Sequence, residues 1–207
     1  MKMKIYNKGW FGSNSYVLIG ENKEAVLIDA GSEADFYLKK EISEDYKIKY
    51  VLLTHGHFDH ICAGKDLQEI GKLIGISQKD SSFLSNDNNL SNLFDVDYQP
   101  FKADFTFVDG EILKLCGLEF KVIATPGHTQ GSVCFLCGDM LFSGDTLFCE
   151  SIGRTDFPTG SYKEIIESIQ KKLFTIEKDI TVYSGHGEST TLEYEKIHNP
   201  YCQASKK

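Results

Sequence analysis

Thr54-His55-Gly56-His57-Phe58-Asp59-His60 follows directly on the apolar run Tyr50-Val51-Leu52-Leu53. His55, His57, Asp59 and His60 thus place four ligand-type side chains within six residues, on a turn that Gly56 keeps uncrowded. Without a metal, such a group would be a charge cluster with no structural use. Imidazole and carboxylate donors without thiolate suit Zn, Fe or Mn at a catalytic site better than a Cys-rich structural zinc knuckle. Four of them crowd a single ion. Two ions about 3.5–4 Å apart, sharing a carboxylate, accommodate them, and that is the spacing of two-metal hydrolases.

The same arrangement, an apolar run ending in a ligand-bearing loop, recurs along the chain. Phe120-Lys121-Val122-Ile123-Ala124 runs into Thr125-Pro126-Gly127-His128-Thr129, and Ile180-Thr181-Val182-Tyr183 into Ser184-Gly185-His186-Gly187. Met140-Leu141-Phe142 ends in Ser143-Gly144-Asp145-Thr146, where Gly-Asp is also ordinary turn chemistry. These runs, with Ser15 to Ile19, Ala25 to Ile28 and Val133 to Leu136, read as strands. Ala34 to Ile42, Ser161 to Phe174 and Thr190 to His198 read as helices, the second opening on a capping box of Ser161 and Glu164. Interleaved strands and helices predict an α/β layered fold. Ligand sites in such folds lie beyond the carboxyl ends of strands, so the four loops are expected to converge on one site.

The rest of the chain narrows the possibilities. The 207 residues, 41% hydrophobic and 25% charged, are read as one domain, 1–207, long enough to bury a core unaided. A formal charge of -8 with no basic block argues against nucleic acid and anionic membrane surfaces as partners. The N-terminus has no apolar stretch of signal-peptide type, so a cytoplasmic location is expected. Cys134 and Cys137 have redox-motif spacing but sit inside a strand and read as core. His198, in a polar helical tail beside Asn199-Pro200, reads as a surface residue. Lys79 to Asp104, polar yet studded with Phe83, Leu84, Leu90 and Phe94, reads as a surface loop with a short helix before it reads as a substrate-covering lid.

Taken in order, Thr54 to His60, Thr125 to Thr129, Gly144-Asp145-Thr146-Leu147-Phe148 and Gly185-His186-Gly187 resemble the metallo-β-lactamase-fold hydrolase superfamily. Asp145 in Gly-Asp-Thr-Leu-Phe, followed by Gly153-Arg154-Thr155-Asp156, looks like its glyoxalase II-like (hydroxyacylglutathione hydrolase-like) branch in a short form. The similarity runs from Asp29 in Ile28-Asp29-Ala30-Gly31 to Asn199-Pro200. It implies a four-layer αβ/βα sandwich of two similar halves, with the metal site at the strand ends between them. It implies two divalent metal ions, Zn first with Fe or Mn as alternatives. His55, His57 and His128 would hold one, Asp59, His60 and His186 the other, and Asp145 would bridge both.

The chemistry this implies is hydrolysis by a hydroxide shared between the cations, with Asp59 as the catalytic residue that orients it. Asp29 is read either as a carboxylate that fixes a ligand's ring or as a strand-end turn residue, and Arg154 as a partner for an anionic substrate group or a structural ion pair. The expected activity is a thioesterase acting on small 2-hydroxyacyl thioesters, with a small-molecule thioester or ester as the partner. The alternatives are a mononuclear-iron, persulfide dioxygenase-like oxidoreductase on the same fold, and a β-lactamase or lactonase-type hydrolase. Full-length glyoxalase II enzymes carry a helical extension that grips glutathione. The chain ends at Lys207, so a weaker dependence on the thiol portion is expected.

Overall fold

The computed structural model describes residues 1–202. The first sheet is built from β1 (Lys2–Asn7), β2 (Asn14–Ile19), β3 (Glu24–Ile28), β4 (Lys47–Leu52), β5 (Leu73–Ser77) and β6 (Phe105–Phe107), in that spatial order. The chain then lays down β7 (Ile112–Leu115), β8 (Leu118–Ala124), β9 (Val133–Cys137) and β10 (Met140–Gly144). A two-stranded ribbon, β11 (Leu147–Phe148) with β12 (Ser151–Ile152), precedes β13 (Thr181–Ser184) and β14 (Thr190–Thr191). The second sheet has the order β14-β13-β10-β9-β8-β7. In each sheet an antiparallel meander gives way to parallel pairing, from β3 to β6 in the first and between β10 and β13 in the second.

Both faces of the central strands are buried, which is why they read as near-continuous apolar runs. Alternate side chains go to different layers. Val17, Ala25, Leu27, Val51 and Ile74 pack on α1 (Ala34–Glu44), α2 (Phe58–Ile61) and α3 (Gly64–Glu69) through Tyr37, Ile61 and Leu67. Leu18, Val26, Ile28 and Leu52 face Phe120, Val122, Phe135 and Phe142 of the other sheet. The outer face of that sheet buries Ile123, Leu141 and Val182 against Ile165, Ile169 and Leu192 of α4 (Tyr162–Ser168), the π turn that continues it to Leu173, and α5 (Leu192–His198). These three cores separate four layers, helix, sheet, sheet, helix. Each fully buried large side chain contributes roughly 1.5–3 kcal/mol.

The predicted strands are present, and so are the helices, except that Thr190–Thr191, expected in the last helix, forms β14; Ser161 caps α4 by accepting from Glu164 N at 3.3 Å, but Ser161 N donates to the Gly127 carbonyl at 2.7 Å, so the expected capping box is half formed. Strands β1, β5, β6 and β7 and the two-residue strands β11, β12 and β14 lie outside the strands expected from sequence. The first is an edge strand with Lys2 and Lys4 on it, and β5 is broken by Gly75, where a Cβ would lie 2.4 Å from the Phe105 ring. Segment 79–104 forms three 3-10 turns pinned by buried Phe83, Leu84 and Leu90. Cys134 and Cys137 are buried free thiols, as expected of core. Among the described residues no helix is long and apolar enough to cross a membrane.

Candidate metal centre

Loops at the carboxyl ends of β3, β4, β8, β10 and β13 meet at one edge of the two sheets. The β4 loop enters the short helix α2 immediately after His57, and Phe58, Asp59, His60 and Ile61 are all buried in that one turn. The turn is held from below, where Ala30 N donates to the His60 carbonyl at 2.7 Å and Ser13 Oγ to the Asp59 carbonyl at 2.7 Å. The β13 loop is tied to the first sheet by Asn14, whose side chain donates to the carbonyls of Ser184 and Gly187 at 3.0 Å. Two glycines permit the crowding. Gly144 has φ 48° and a Cβ there would meet Thr54 Oγ1 at 2.4 Å, while one on Gly185 would lie 2.1 Å from Asp145 Oδ1.

All seven predicted ligands come together. Three overlapping groups of candidate donors, His55 with His57 and His128, Asp59 with His60 and His186, and His55 with His60 and Asp145, each have one ligand atom per residue within 4.8 Å of the others, the first two forming separate clusters and the third joining them. Asp145 lies between them: its carboxylate is 3.6 Å from His128 Nε2, 3.4 Å from His60 Nε2 and 3.7 Å from His186 Nε2. His186 Nε2 is 3.3 Å from Asp59 Oδ2.

The surroundings orient the rings. His128 Nδ1 donates to the Arg154 carbonyl at 2.7 Å, which leaves Nε2 as a lone pair facing the cluster. Asp29, buried and in the left-handed region at φ 57°, accepts from Thr54 N and Thr54 Oγ1 at 2.8 Å and from His60 Nδ1 at 2.9 Å. Because the Thr54 hydroxyl spends its proton on Asp29, it accepts from His55 Nδ1 at 3.1 Å, and the His55 lone pair falls on Nε2. His57 differs: its Nδ1 is 2.8 Å from His128 Nε2, and its Nε2 is buried with no partner among the described residues.

Electrostatics divide the centre. Burial, reinforced by the neighbouring imidazoles, pushes His55 and His57 well below the ordinary histidine range. Burial also opposes charge on His60, but Asp59, Asp145 and Asp29 outweigh it and raise that ring to about 10. Burial likewise opposes ionisation of Asp59, which His60 and His186 outweigh. His55 Nε2 and Asp145 Oδ1 are buried with no hydrogen-bond partner among the described residues, a costly arrangement unless something else engages them. Lone pairs on imidazoles and carboxylates aimed at shared points fit divalent cations.

Of the remaining candidates, Asp29 is a left-handed residue at the end of β3 whose carboxylate contacts the His60 ring directly and the His55 ring through Thr54. The Arg154 guanidinium is exposed, paired with Asp156 at 2.7 Å and stacked on Phe157 at 4.1 Å, while its backbone carbonyl serves His128. His198 stacks on Tyr194 away from the centre. Two further residues, which no sequence pattern marks, tie the ligand loops together. Thr54 relays between Asp29 and His55, and Asp80, fully buried, accepts from Gly56 N at 3.1 Å and Thr129 Oγ1 at 2.6 Å, joining two ligand loops. Asp80 sits in the polar stretch Lys79-Asp80-Ser81-Ser82, where no local pattern marks it. Above the centre opens a cavity of about 360 Å³ that His57, Asp59, His128, Asp145 and His186 line from below.

The sequence profile of the metallo-beta-lactamase superfamily matches residues 9–186. A hydroxyacylglutathione hydrolase, GloC, of Haemophilus influenzae is 37% identical over 99% of this chain and 99% of its own. Among solved structures, the B3 metallo-beta-lactamase BLEG-1 superposes with a TM-score of 0.92 at 33% identity, covering 98% of this chain and 100% of that one. TTHA1623 in a di-iron-bound form superposes with a TM-score of 0.85 at 28% identity, covering 96% and 99%.

Proposed function

The chain belongs to the metallo-β-lactamase superfamily as a metallo-hydrolase, and from that premise we propose that it is a dinuclear thioesterase of glyoxalase II type, acting on small 2-hydroxyacyl thioesters. The observation that carries the dinuclear reading is the Asp145 carboxylate, 3.4–3.7 Å from nitrogens of both donor clusters. His55, His57 and His128 would hold one divalent cation, Asp59, His60 and His186 the other, and Asp145 would bridge them. The di-iron form of TTHA1623 supports a paired site and admits Fe beside Zn. The hydroxyacylglutathione hydrolase relative, matched over essentially its whole length, supports a thioester as substrate.

Bound cations supply Lewis acidity and a nucleophile at neutral pH. The chain's own residues do the rest. Asp59, a carboxylate on the cavity floor that His60 and His186 hold ionised, accepts a hydrogen bond from the attacking nucleophile and orients it. Asp29, Thr54 and the Arg154 carbonyl orient His60, His55 and His128 with Nε2 turned toward the cluster. No side-chain nucleophile is required.

The test is metal analysis of the purified protein together with kcat/KM on lactoyl and acetyl thioesters. About two ions per chain and thioester turnover abolished by Asp59→Asn are expected. One ion with oxygen consumed on a persulfide would replace this reading with an iron dioxygenase. The close superposition on BLEG-1 gives a second hydrolytic reading, β-lactam hydrolysis, so a cephalosporin belongs in the panel.

A further inference from the structure

The walls of the cavity have a chemistry that the metal centre does not explain. Phe11, Phe58 and Phe94 line it as one aromatic group, with ring centroids 5.8 Å apart for Phe11 and Phe58, 5.1 Å for Phe11 and Phe94, and 5.5 Å for Phe58 and Phe94. Phe148, Ile152 and Phe157 add apolar surface from the segment that follows Asp145. Phe11 is 63% exposed and Phe94 40%, so the group offers open apolar area beside the donor clusters and is not a closed core. Phe11 also holds the left-handed backbone region at φ 53°, a strained conformation for a bulky residue that its ring contacts maintain.

The electrostatic counterpart is missing. Arg154 is the one permanently charged cation among the described residues lining the cavity, and its guanidinium is already paired with Asp156 and stacked on Phe157. A thiol bearing two carboxylates would bring charges that these walls cannot pair, at a desolvation cost. An apolar group would bury its surface against aromatic rings.

We propose that this aromatic group is the subsite for the leaving thiol, and that it selects an uncharged, apolar thiol of about the size of a phenylethyl group over a peptide thiol such as glutathione. The assignment rests on the thioesterase reading above: a small 2-hydroxyacyl group fills the space next to the donor clusters, so the larger remainder of the substrate, the thiol, is what the aromatic part of the cavity is left to hold.

Trp10 makes the subsite readable without catalysis. It is the chain's single tryptophan, and its ring packs edge-on against Phe58 at 5.9 Å. The metal-loaded protein is titrated with (2-phenylethylthio)acetate and with (ethylthio)acetate, which share a carboxylate and a thioether and differ in the phenyl ring. Trp10 fluorescence should report at least tenfold tighter binding of the phenyl compound. Phe94→Ala and Phe11→Ala, shown to be folded by an unchanged metal content and cooperative unfolding, should each reduce that ratio at least threefold. In turnover, lactoyl thioesters of 2-phenylethanethiol, ethanethiol and glutathione should rank in that order in kcat/KM. The first two sulfurs are chemically alike, so the ratio between them reads recognition. Phenyl-dependent binding in a protein that cleaves no thioester would overturn the proposed activity and keep the apolar subsite. Equal binding of the two probes, or a glutathione thioester preferred severalfold over the phenylethyl one, would overturn the subsite whether or not thioesters are cleaved.

Discussion

Asp29→Asn isolates the proton relay from everything else at the metal centre. Asparagine has nearly the same shape and tolerates the left-handed φ of 57° as well as aspartate, so the backbone has no reason to move. One oxygen can still accept from Thr54 N. The new amide nitrogen, however, faces Thr54 Oγ1 and His60 Nδ1, which both donate to Asp29 at 2.8 and 2.9 Å in the native chain. Two donors cannot bond a donor. The contacts survive only if both partners become acceptors: the Thr54 hydroxyl then donates to His55 Nδ1, and the protons of His55 and His60 move to Nε2. Each ring thereby presents N–H where a lone pair is needed, one in each donor cluster. Loss of a ligand-orienting partner costs about 10–100-fold in metal affinity, or about 1.4–2.7 kcal/mol, and here the loss should appear at both sites. Chelator competition followed by metal counting measures it, alongside unfolding of the metal-free proteins, which should differ by only about 1–2 kcal/mol. If Asp29→Asn retained metal at native affinity, Asp29 would be a turn residue and the relay argument would fail.

Asp145→Ala should lower metal content at both donor clusters while His198→Ala leaves it unchanged; equal effects of the two would contradict the placement of Asp145 between the clusters. Gly185→Ala sets a methyl 2.1 Å from Asp145 Oδ1 and 2.9 Å from His60 Cε1, so it should impair metal retention more than it impairs folding, as retention assays and thermal unfolding would register. Burial pushes the Asp80 carboxyl up to about 6 from an ordinary 3.8, so its contribution to stability is complete below 3.8 and is lost as pH rises through about 6. Asp80→Asn should therefore gain on the native chain between pH 4 and 7, by up to about 3 kcal/mol, in urea unfolding of metal-free protein; a pH-independent difference would refute the buried-carboxylate account.

What could be read in advance follows from which signals are local. The ligand motifs sit within a few residues of strand ends, and the strands beneath them are buried on both faces, so apolar runs and adjoining histidines were legible together. The seven ligand-type residues that these motifs nominated do converge. Strands β1 and β5 were not legible, because an edge strand carrying lysines and a strand interrupted by Gly75 lack the continuous apolar signature. Asp80 and Thr54 were missed for a different reason. Their partners lie elsewhere in the chain, Thr129 for the one and Asp29 for the other, and a buried hydrogen bond between distant residues leaves no spacing to detect. The aromatic group was hidden likewise, since Phe11, Phe58 and Phe94 belong to three separate segments that only the fold brings within 6 Å.

The origin of the donors couples the centre to the stability of the whole. His55 and His57 come from the loop after β4 in the first sheet, and the third member of their cluster, His128, from the loop after β8 in the second. Asp59 and His60 likewise belong to the first half and His186 to the second. Neither cluster can be assembled within one half, and the apolar faces that join the sheets, Leu18, Val26 and Leu52 against Phe120, Phe135 and Phe142, are what bring the donors into register. A cation held by either cluster would bind only the docked arrangement of the two sheets, and its binding free energy would add to the energy of docking. His55 Nε2 and Asp145 Oδ1, buried without a hydrogen-bond partner among the described residues, are the atoms such a cation would engage. Metal affinity and the docking of the two sheets would therefore be coupled, because the packing of Leu18, Val26 and Leu52 against Phe120, Phe135 and Phe142 sets the donor positions that a cation requires.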